Sequence, residues 1–215
     1  MLSVTKVTHR KGKSSIHTVK GYGPCSATGM IFYIKHNDTT YFLMQQQNNK
    51  KYRITDLGGK IDETDKTVID AAQREVMEET NGLLFNKLFK SEYNKEFSLK
   101  SNPEGKEYTP NFNRLLNENE PTFIYKFNSR YLCVLIELDT KYIKEDMLPN
   151  KGLTIMSEFG DYEDGDKIER DIVWIDTNYF KGLISKAGDD LHTRLRTLKM
   201  RALINLFKEE QEKEK

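Results

Sequence analysis

Long apolar runs, cysteine and an excess of charge of one sign are scarce in this sequence, and each scarcity excludes a class of protein. No stretch approaches the roughly 18 apolar residues of a membrane-spanning helix, and residues 1–6 lack the apolar core of a secretory signal. The two cysteines, Cys25 and Cys133, lie far apart in apolar stretches, which favours buried thiols over a disulfide or a metal site. We therefore expect a cytoplasmic protein with no membrane partner.

The net charge of +1 gives the whole molecule no strong attraction for nucleic acid, and we do not expect a reader of DNA sequence. The charge is nevertheless uneven, because residues 1–37 contain six Lys or Arg and no Asp or Glu. This segment is either a solvated tail or an arm that contacts the phosphates of a polyanionic substrate. We predict a basic N-terminal arm over residues 1–24 and one domain over residues 25–215, since this length can bury an ordinary core.

The first part of the domain is predicted to contain strands followed by a helix. Apolar runs at residues 29–34 and 40–44, separated by polar turn residues, indicate a hairpin. Residues 52–57 could form a short strand that ends at a glycine pair. An apolar stripe at helical spacing predicts a helix over residues 67–80.

The ends of this helix have recognisable signals. Thr67 and Asp70 resemble a capping box, although Asp65 is an alternative cap. Asn81 and Gly82 should end the helix, because these residue types best tolerate a left-handed conformation.

The rest of the chain is read more coarsely. Residues 86–121 are rich in Asn, Lys and Glu and predict a strand followed by an insertion. Further apolar segments predict three strands and two helices: strands at 122–127, 130–138 and 172–175, and helices at 176–185 and about 190–210.

One side of the helix at residues 67–80 is crowded with carboxylates. Glu75, Glu78 and Glu79 stand at i, i+3 and i+4 and share one face, while Arg74 lies four residues before Glu78 and can pair with it. The three charges either face water, as charged runs on helices commonly do, or hold divalent cations. Oxygen ligands favour hard ions such as Mg²⁺ or Mn²⁺ over zinc.

The preceding segment favours metal binding. Gly58 and Gly59 are expected to form a flexible pair that lets backbone N–H groups approach phosphate, and an acidic loop connects them to the helix. Residues 58–83 resemble the Nudix box, whose pattern is Gly, five residues, Glu, seven residues, Arg-Glu, an apolar residue, any residue, Glu-Glu, any residue, Gly and an apolar residue.

The match is close but not complete. Gly59 matches the first glycine, Asp65 takes the first Glu position, and residues 74–79 match the centre without change. The chain departs from the pattern in having Asp at position 65, eight residues instead of seven before Arg74, and Asn81 at the closing glycine position. The first two departures leave the role of the loop carboxylate open, whereas Asn also accepts the helix-ending conformation.

The resemblance implies a Nudix fold, which is an α/β/α sandwich around a mixed sheet, here with an insertion near residues 86–121 and a long C-terminal helix. It also implies a hydrolase that cleaves a phosphoanhydride bond with Mg²⁺ or Mn²⁺. By this resemblance Glu78 and Glu79 are the main metal ligands and take part in catalysis. Glu75 is a third ligand, and the Gly59 carbonyl completes the metal shell. Arg74 orients the cluster through an ion pair.

The general base is less well defined by the resemblance, because in the family it can be a box glutamate or an acidic residue in a later loop. Of the acidic residues before Trp174, Glu169 and Asp171 are the leading candidates, since they lie at the entrance to a strand. Arg53 and Lys60, on either side of the glycine pair, are predicted to bind substrate.

The box does not specify the substrate. The basic arm, the basic C-terminal helix, the insertion and the many aromatic residues favour capped RNA, with mRNA decapping that releases methylated guanosine diphosphate. The Lys- and Asn-rich composition and the box variant also resemble decapping Nudix enzymes of large DNA viruses, which would place the chain in host cytoplasm. The alternative is a pyrophosphatase for small nucleoside polyphosphates, nucleotide sugars or diphosphoinositol phosphates. A non-catalytic binding module is disfavoured, because such a protein is expected to lose the box carboxylates.

Overall fold

The computed structural model describes residue 2 and residues 4–10, 14–47, 53–80, 82, 84–91, 121–149, 155–163, 166–185, 191–192 and 195. Within these ranges eleven strands are β1 (Val4–Arg10), β2 (Ser14–Val19), β3 (Gly23–Cys25), β4 (Ala27–His36), β5 (Thr39–Gln47), β6 (Arg53–Thr55), β7 (Leu57–Lys60), β8 (Thr122–Lys126), β9 (Tyr131–Glu137), β10 (Ile155–Glu163) and β11 (Asp166–Asp176). Three α-helices are α1 (Val68–Glu79), α2 (Leu84–Leu88) and α3 (Thr177–Ser185).

A mixed sheet of eight strands forms the centre of the molecule. Six of its strands run in the order β10-β11-β5-β4-β9-β8, while β6 pairs with β5 and β7 pairs with β4. Neighbouring strands are antiparallel except β4 and β9, which run parallel from the Ala27–Tyr131 pair to the Tyr33–Glu137 pair. Two parallel strands need a long crossover, and the chain between β4 and β9 contains α1 and α2.

Helices cover both faces of this sheet. On one face, Val76 and Met77 of α1 and Phe85 of α2 pack into a core with Phe32 and Trp174. On the other face, Phe180, Leu183 and Ile184 of α3 pack against a second core. Because strand side chains alternate between faces, the two cores take alternate residues of β4, β5, β9 and β11. The α/β/α sandwich predicted from the sequence is therefore confirmed.

The first hairpin is confirmed. β4 and β5 pair antiparallel from Phe32–Leu43 to His36–Thr39. Asn37 and Asp38 between them both have positive φ, at 48° and 57°. Two consecutive residues with positive φ are what a tight turn between twisted strands requires, and Asn and Asp tolerate this conformation.

The ends of α1 also follow the sequence. Thr67 is the N-cap, its hydroxyl accepts the Asp70 N–H, and the Asp70 carboxylate accepts the Thr67 N–H, so the capping box is complete. Gly82 has a φ of 67° and donates its N–H to the Met77 carbonyl at 2.8 Å, which ends the helix.

Two local predictions need correction. Gly58 and Gly59 are not a flexible loop, because they lie inside β7 and pair with Gly29 and Thr28 of β4. The strand predicted to begin near residue 86 is also wrong at its start, since residues 84–88 are helical. Leu84, Phe85 and Leu88 lie on one side of that helix and are buried.

Other predictions fall outside what the structure describes. Most of the predicted insertion and nearly all of the predicted C-terminal helix lie in the omitted ranges. At the start of the latter, Leu191 forms an isolated bridge with Ile54, and Leu191 and Leu195 are buried in the core under α3. In the ranges given above, no helix is long and apolar enough to cross a membrane.

Part of the basic arm is folded. β1, β2 and β3 form a separate antiparallel sheet. The Ser15 N–H donates to the Ile61 carbonyl at 2.9 Å, and Val19 and Cys25 share a small core with Ile61 and Val68. This sheet therefore packs beside the segment that leads into α1.

Candidate active site

Arg74 holds the first half of the box together. Its Nε and Nη2 bind the two oxygens of Asp65 at 3.1 and 3.0 Å, and its Nη1 binds Glu75 at 3.0 Å and Glu78 at 2.7 Å. Nη2 also donates to the Lys60 carbonyl at 2.8 Å. One guanidinium thus connects the end of β7, the loop and two of the three box glutamates.

The electrostatics of this cluster favour a permanent positive charge on Arg74. Burial alone would lower the pKa of the Arg74 guanidinium, but the hydrogen bond to Asp65 and the charges of Glu75, Asp65 and Glu78 outweigh it and raise that pKa above its ordinary value. Arg74 therefore offsets part of the repulsion between the carboxylates at every pH at which the protein is folded.

The loop carboxylate has a clear structural role. Asp65 is buried, binds Arg74 with both oxygens, and accepts the Asp62 N–H at 2.7 Å. An Asp side chain is one methylene shorter than Glu, and the loop is one residue longer than the family pattern. In this structure Asp65 anchors Arg74 instead of capping the helix.

The glycine pair is required by close packing. A Cβ on Gly59 would lie 2.6 Å from Cδ of Glu75, so the Glu75 carboxylate rests directly on the Gly59 backbone. A Cβ on Gly58 would overlap the backbone of Thr28 and Gly29 in β4. Any side chain at either position would displace β7 from the helix or from the sheet.

A buried, hydrogen-bonded cluster of polar side chains behind β7 requires a third glycine, Gly29. Tyr131 donates its hydroxyl to Asp56, which has no exposed surface, and Thr55 donates its hydroxyl to the other Asp56 oxygen at 3.2 Å. A Cβ on Gly29 would overlap both the Tyr131 hydroxyl and the Asp56 carboxylate. This group therefore fixes the position of β7 from the face opposite α1.

Glu79 occupies the other end of the carboxylate row. Its Oε2 accepts the Gly58 N–H at 2.7 Å, and its Oε1 lies 3.2 Å from Nη1 of Arg170 on β11. Glu79 and Arg170 are both buried, whereas Glu78 is half exposed. Sequence reasoning missed Arg170, because nothing in the local pattern indicates that β11 lies next to the end of α1.

The box has the donors for a hard divalent ion but not a preformed cage. Glu75, Glu78 and Glu79 offer only carboxylate oxygens, and Gly59 brings its backbone against Glu75, so the donor set suits Mg²⁺ or Mn²⁺. Among the residues that the structure describes, no three His, Cys, Asp or Glu side chains converge closely enough to hold a metal. Instead, these carboxylates are contacted by the guanidinium groups of Arg74 and Arg170, which are themselves cations.

The remaining predicted site residues are less closely grouped. Lys60 has an exposed side chain at the end of β7, and Arg53 lies on β6, where the backbone alone is described. Glu169 pairs with Gly160 on the outer part of the sheet. Asp171 is next to Arg170 in β11, and strand alternation directs it to the face opposite α1. The structure therefore does not bring Asp171 to the box glutamates.

Comparison with known proteins agrees with this geometry. The NUDIX domain model matches residues 25–128, which run from the last residue of β3 to the end of β8 and include α1. No curated protein matches the chain. A solved structure of a C. elegans Ap4A hydrolase binary complex is similar at 16% sequence identity, with coverage of 84% of this chain and 93% of that chain and a TM-score of 0.38. The domain match and the box residues make residues 25–128 similar to the domain of Nudix hydrolases, enzymes that act on phosphoanhydride bonds.

Proposed function

We propose that this enzyme cleaves a phosphoanhydride of a nucleoside polyphosphate and that Glu75, Glu78 and Glu79 hold the Mg²⁺ or Mn²⁺ that it needs. The observation that carries the proposal is the arrangement around α1. Three glutamates follow one side of its last two turns, two of them buried or nearly so, and the Gly59 backbone lies against Glu75.

The bound metal would neutralise phosphate charge and lower the pKa of an attacking water. Contacts within the protein hold the proposed metal ligands in position. Arg74 fixes Glu75 and Glu78 relative to β7, and Gly58 fixes Glu79 through its N–H. Hydrolysis of a polyanion depends mainly on such positioning and charge stabilisation, because little covalent chemistry is required of the protein.

An assay of product release tests this proposal. Wild-type protein, Glu79→Gln and Glu75→Gln are incubated with Mn²⁺ and a panel of nucleoside polyphosphates, and the products are identified. We expect a loss of turnover of at least about 100-fold in each variant, because removal of one charge-stabilising group commonly costs this much. Glu63→Gln is the matched control, since Glu63 is an exposed carboxylate in the loop before α1. Equal turnover in Glu79→Gln and wild type would exclude the metal assignment.

Capped RNA is the second candidate substrate. Its support is the location of the basic arm, because the hydrogen bond from Ser15 to Ile61 places β2 beside the segment between β7 and α1. Residues 1–37 contain no acidic residue, so this sheet adds positive charge next to the box. A substrate with a chain of phosphates beyond the cleaved bond would benefit from such a surface, whereas a small nucleotide would not.

Salt dependence separates the two candidates. For capped RNA, the logarithm of the binding constant should fall with the logarithm of salt concentration, by about 0.7 per phosphate contacted. Neutralising part of the arm should reduce this slope by up to about 3, if each of four substituted cations contacts one phosphate. The substitutions to Gln are at Lys6, Arg10, Lys11 and Lys13, and the control set is Lys35, Lys87, Lys141 and Lys181.

The same variants are then tested on the small nucleotides. Unchanged turnover of these nucleotides together with weaker binding of capped RNA would support decapping. If both sets of variants bind capped RNA with the same salt slope, the decapping proposal fails, and the phosphoanhydride activity on small nucleotides is unaffected.

A further inference from the structure

We infer that Arg170 is a positioning residue that competes with the divalent cation for Glu79 and thereby weakens metal binding to the box. This inference rests on the proposed function, because it concerns the metal site of the same reaction. It begins from a contact that the family box does not contain, between the last box glutamate and a strand 91 positions later in the chain (170 − 79).

The contact is buried on both sides. The Arg170 side chain is 3% exposed and that of Glu79 is 11% exposed, with Nη1 and Oε1 3.2 Å apart. Strand pairing holds Arg170 in register with Gln47 of β5, two residues from Ile172, which packs in the core under α1. Arg170 is thus fixed by the central sheet, and its position does not depend on a surface loop.

Glu79 is also fixed. Its second oxygen accepts the Gly58 N–H at 2.7 Å, and Gly58 cannot move without disturbing the backbone of Thr28 and Gly29. The other oxygen, Oε1, faces Arg170. A metal ion that binds Glu79 through Oε1 must share this oxygen with a guanidinium or displace the guanidinium from it.

Arg74 and Arg170 have different effects on the row of carboxylates. Arg74 is tied to Asp65, which lies outside the predicted ligand set, and holds Glu75 and Glu78 together at their edge. Arg170 contacts the most buried glutamate of the row. Buried like charges repel strongly because the medium screens them poorly, so a guanidinium at this place disfavours a nearby divalent ion.

Removing the Arg170 charge should consequently tighten metal binding. Two causes act in the same direction: the competing cation is lost, and Glu79 is left as a buried carboxylate that lacks this counter-ion. A residue that only maintained the packing of β11 would have the opposite effect, because its loss would loosen the site. The sign of the change in metal affinity therefore distinguishes the two roles.

The experiment measures Mn²⁺ binding by the electron paramagnetic resonance signal of the free ion, without nucleotide, after chelator treatment of the protein. The variants are R170M, R170K, E79Q and the double variant, with R130M as the control for loss of an exposed arginine. We expect R170M to bind Mn²⁺ at least about tenfold more tightly than wild type. R170K should remain close to wild type, and the effect of R170M should disappear in the E79Q background.

Equal or weaker Mn²⁺ binding by folded R170M overturns the inference while leaving the metal-dependent activity intact. Absence of Mn²⁺ binding in wild type and in R170M alike instead overturns the proposed function, so the two failures are distinct. If R170M does not fold, nuclear magnetic resonance of the wild-type arginine Nε–Hε groups gives the answer, with assignment through R170K. The Arg170 signal should shift as Mg²⁺ is added and the Arg130 signal should not, and an unmoved Arg170 signal overturns the inference.

Discussion

At the scale of single residues, Gly59 shows how packing and chemistry coincide. The family pattern predicts a glycine there as a backbone ligand, and the structure adds that the Glu75 carboxylate occupies the place of a side chain. A close approach of this kind leaves no room for even one methyl group without a shift of the helix or of β7. The identity of the residue thus follows from the position of its neighbour.

Replacing Gly59 with Ala should therefore damage the site more than the fold. We expect turnover to fall about 100-fold, because displacement of a catalytic group by an ångström can cost this much, and stability to fall by about 1–3 kcal/mol. Steady-state kinetics and thermal unfolding measure the two effects. Gly182→Ala is the control, since a Cβ there meets nothing within 4 Å in α3, and it should retain activity with slightly higher stability. Full activity in Gly59→Ala would contradict the packing argument.

Cys25 provides a prediction that is independent of the metal. Burial raises the pKa of its thiol to about 11, from an ordinary value of 9.0. The folded protein therefore keeps this thiol protonated between about pH 9 and 11, where the unfolded chain ionises. Its contribution to stability is present below pH 9 and is lost as the pH rises through 11.

We accordingly expect Cys25 to react slowly with iodoacetamide at pH 8 in the native protein and rapidly in denaturant. Mass spectrometry of the alkylated peptides follows this one residue. Rapid labelling of Cys25 under native conditions would show that the thiol is exposed, contrary to its buried position next to β2.

At the residue scale, the sequence predicts contacts within one helix but not contacts between residues that are distant in sequence. The carboxylates of the box lie within one helix, so their relative positions follow from helical spacing, and the structure confirms that Arg74 pairs with Glu78. The sequence leaves the role of Asp65 open, because that role depends on the folded position of the loop, in which Asp65 binds Arg74. Arg170 and Asp56 could not be predicted, because each acts through a partner distant in sequence, Glu79 and Tyr131 respectively.

At the scale of elements, α1 depends on its N-terminal cap. Thr67→Ala removes one half of the capping box and should destabilise the protein by about 1 kcal/mol, whereas Thr67→Ser should largely restore stability. Because Thr67 is at the opposite end of α1 from Glu75 and Glu79, Mn²⁺ affinity should not change. Chemical denaturation and metal titration provide the two measurements. A stability of Thr67→Ala equal to that of wild type would contradict the capping role.

Elements with strong local signals were predicted well. The apolar period and the capping box indicate α1, and two apolar runs around a polar turn indicate the hairpin of β4 and β5. β7 was not foreseen, because Gly58 and Gly59 have low strand propensity and are held in the sheet by close contact with β4. α2 was missed for a related reason: five residues are too few to show a helical period.

At the scale of the whole molecule, topology brings the site together. β11 pairs with β5 and so carries Arg170 to the end of α1, while the parallel pairing of β4 and β9 positions Tyr131 behind the glycine strand. A single sequence predicts the mixed sheet only through its resemblance to the Nudix family. The pairing partners of each strand depend on long-range contacts that periodicity does not encode.

The central claim is that the glutamates of α1 hold a divalent cation. A crystal soaked in Mn²⁺ and measured near the manganese absorption edge tests it most directly. We predict an anomalous difference peak within about 2.0–2.6 Å of carboxylate oxygens of Glu75 and Glu79, the distances usual for oxygen ligands of such ions. A map that has no peak beside α1 at a saturating Mn²⁺ concentration would contradict the claim.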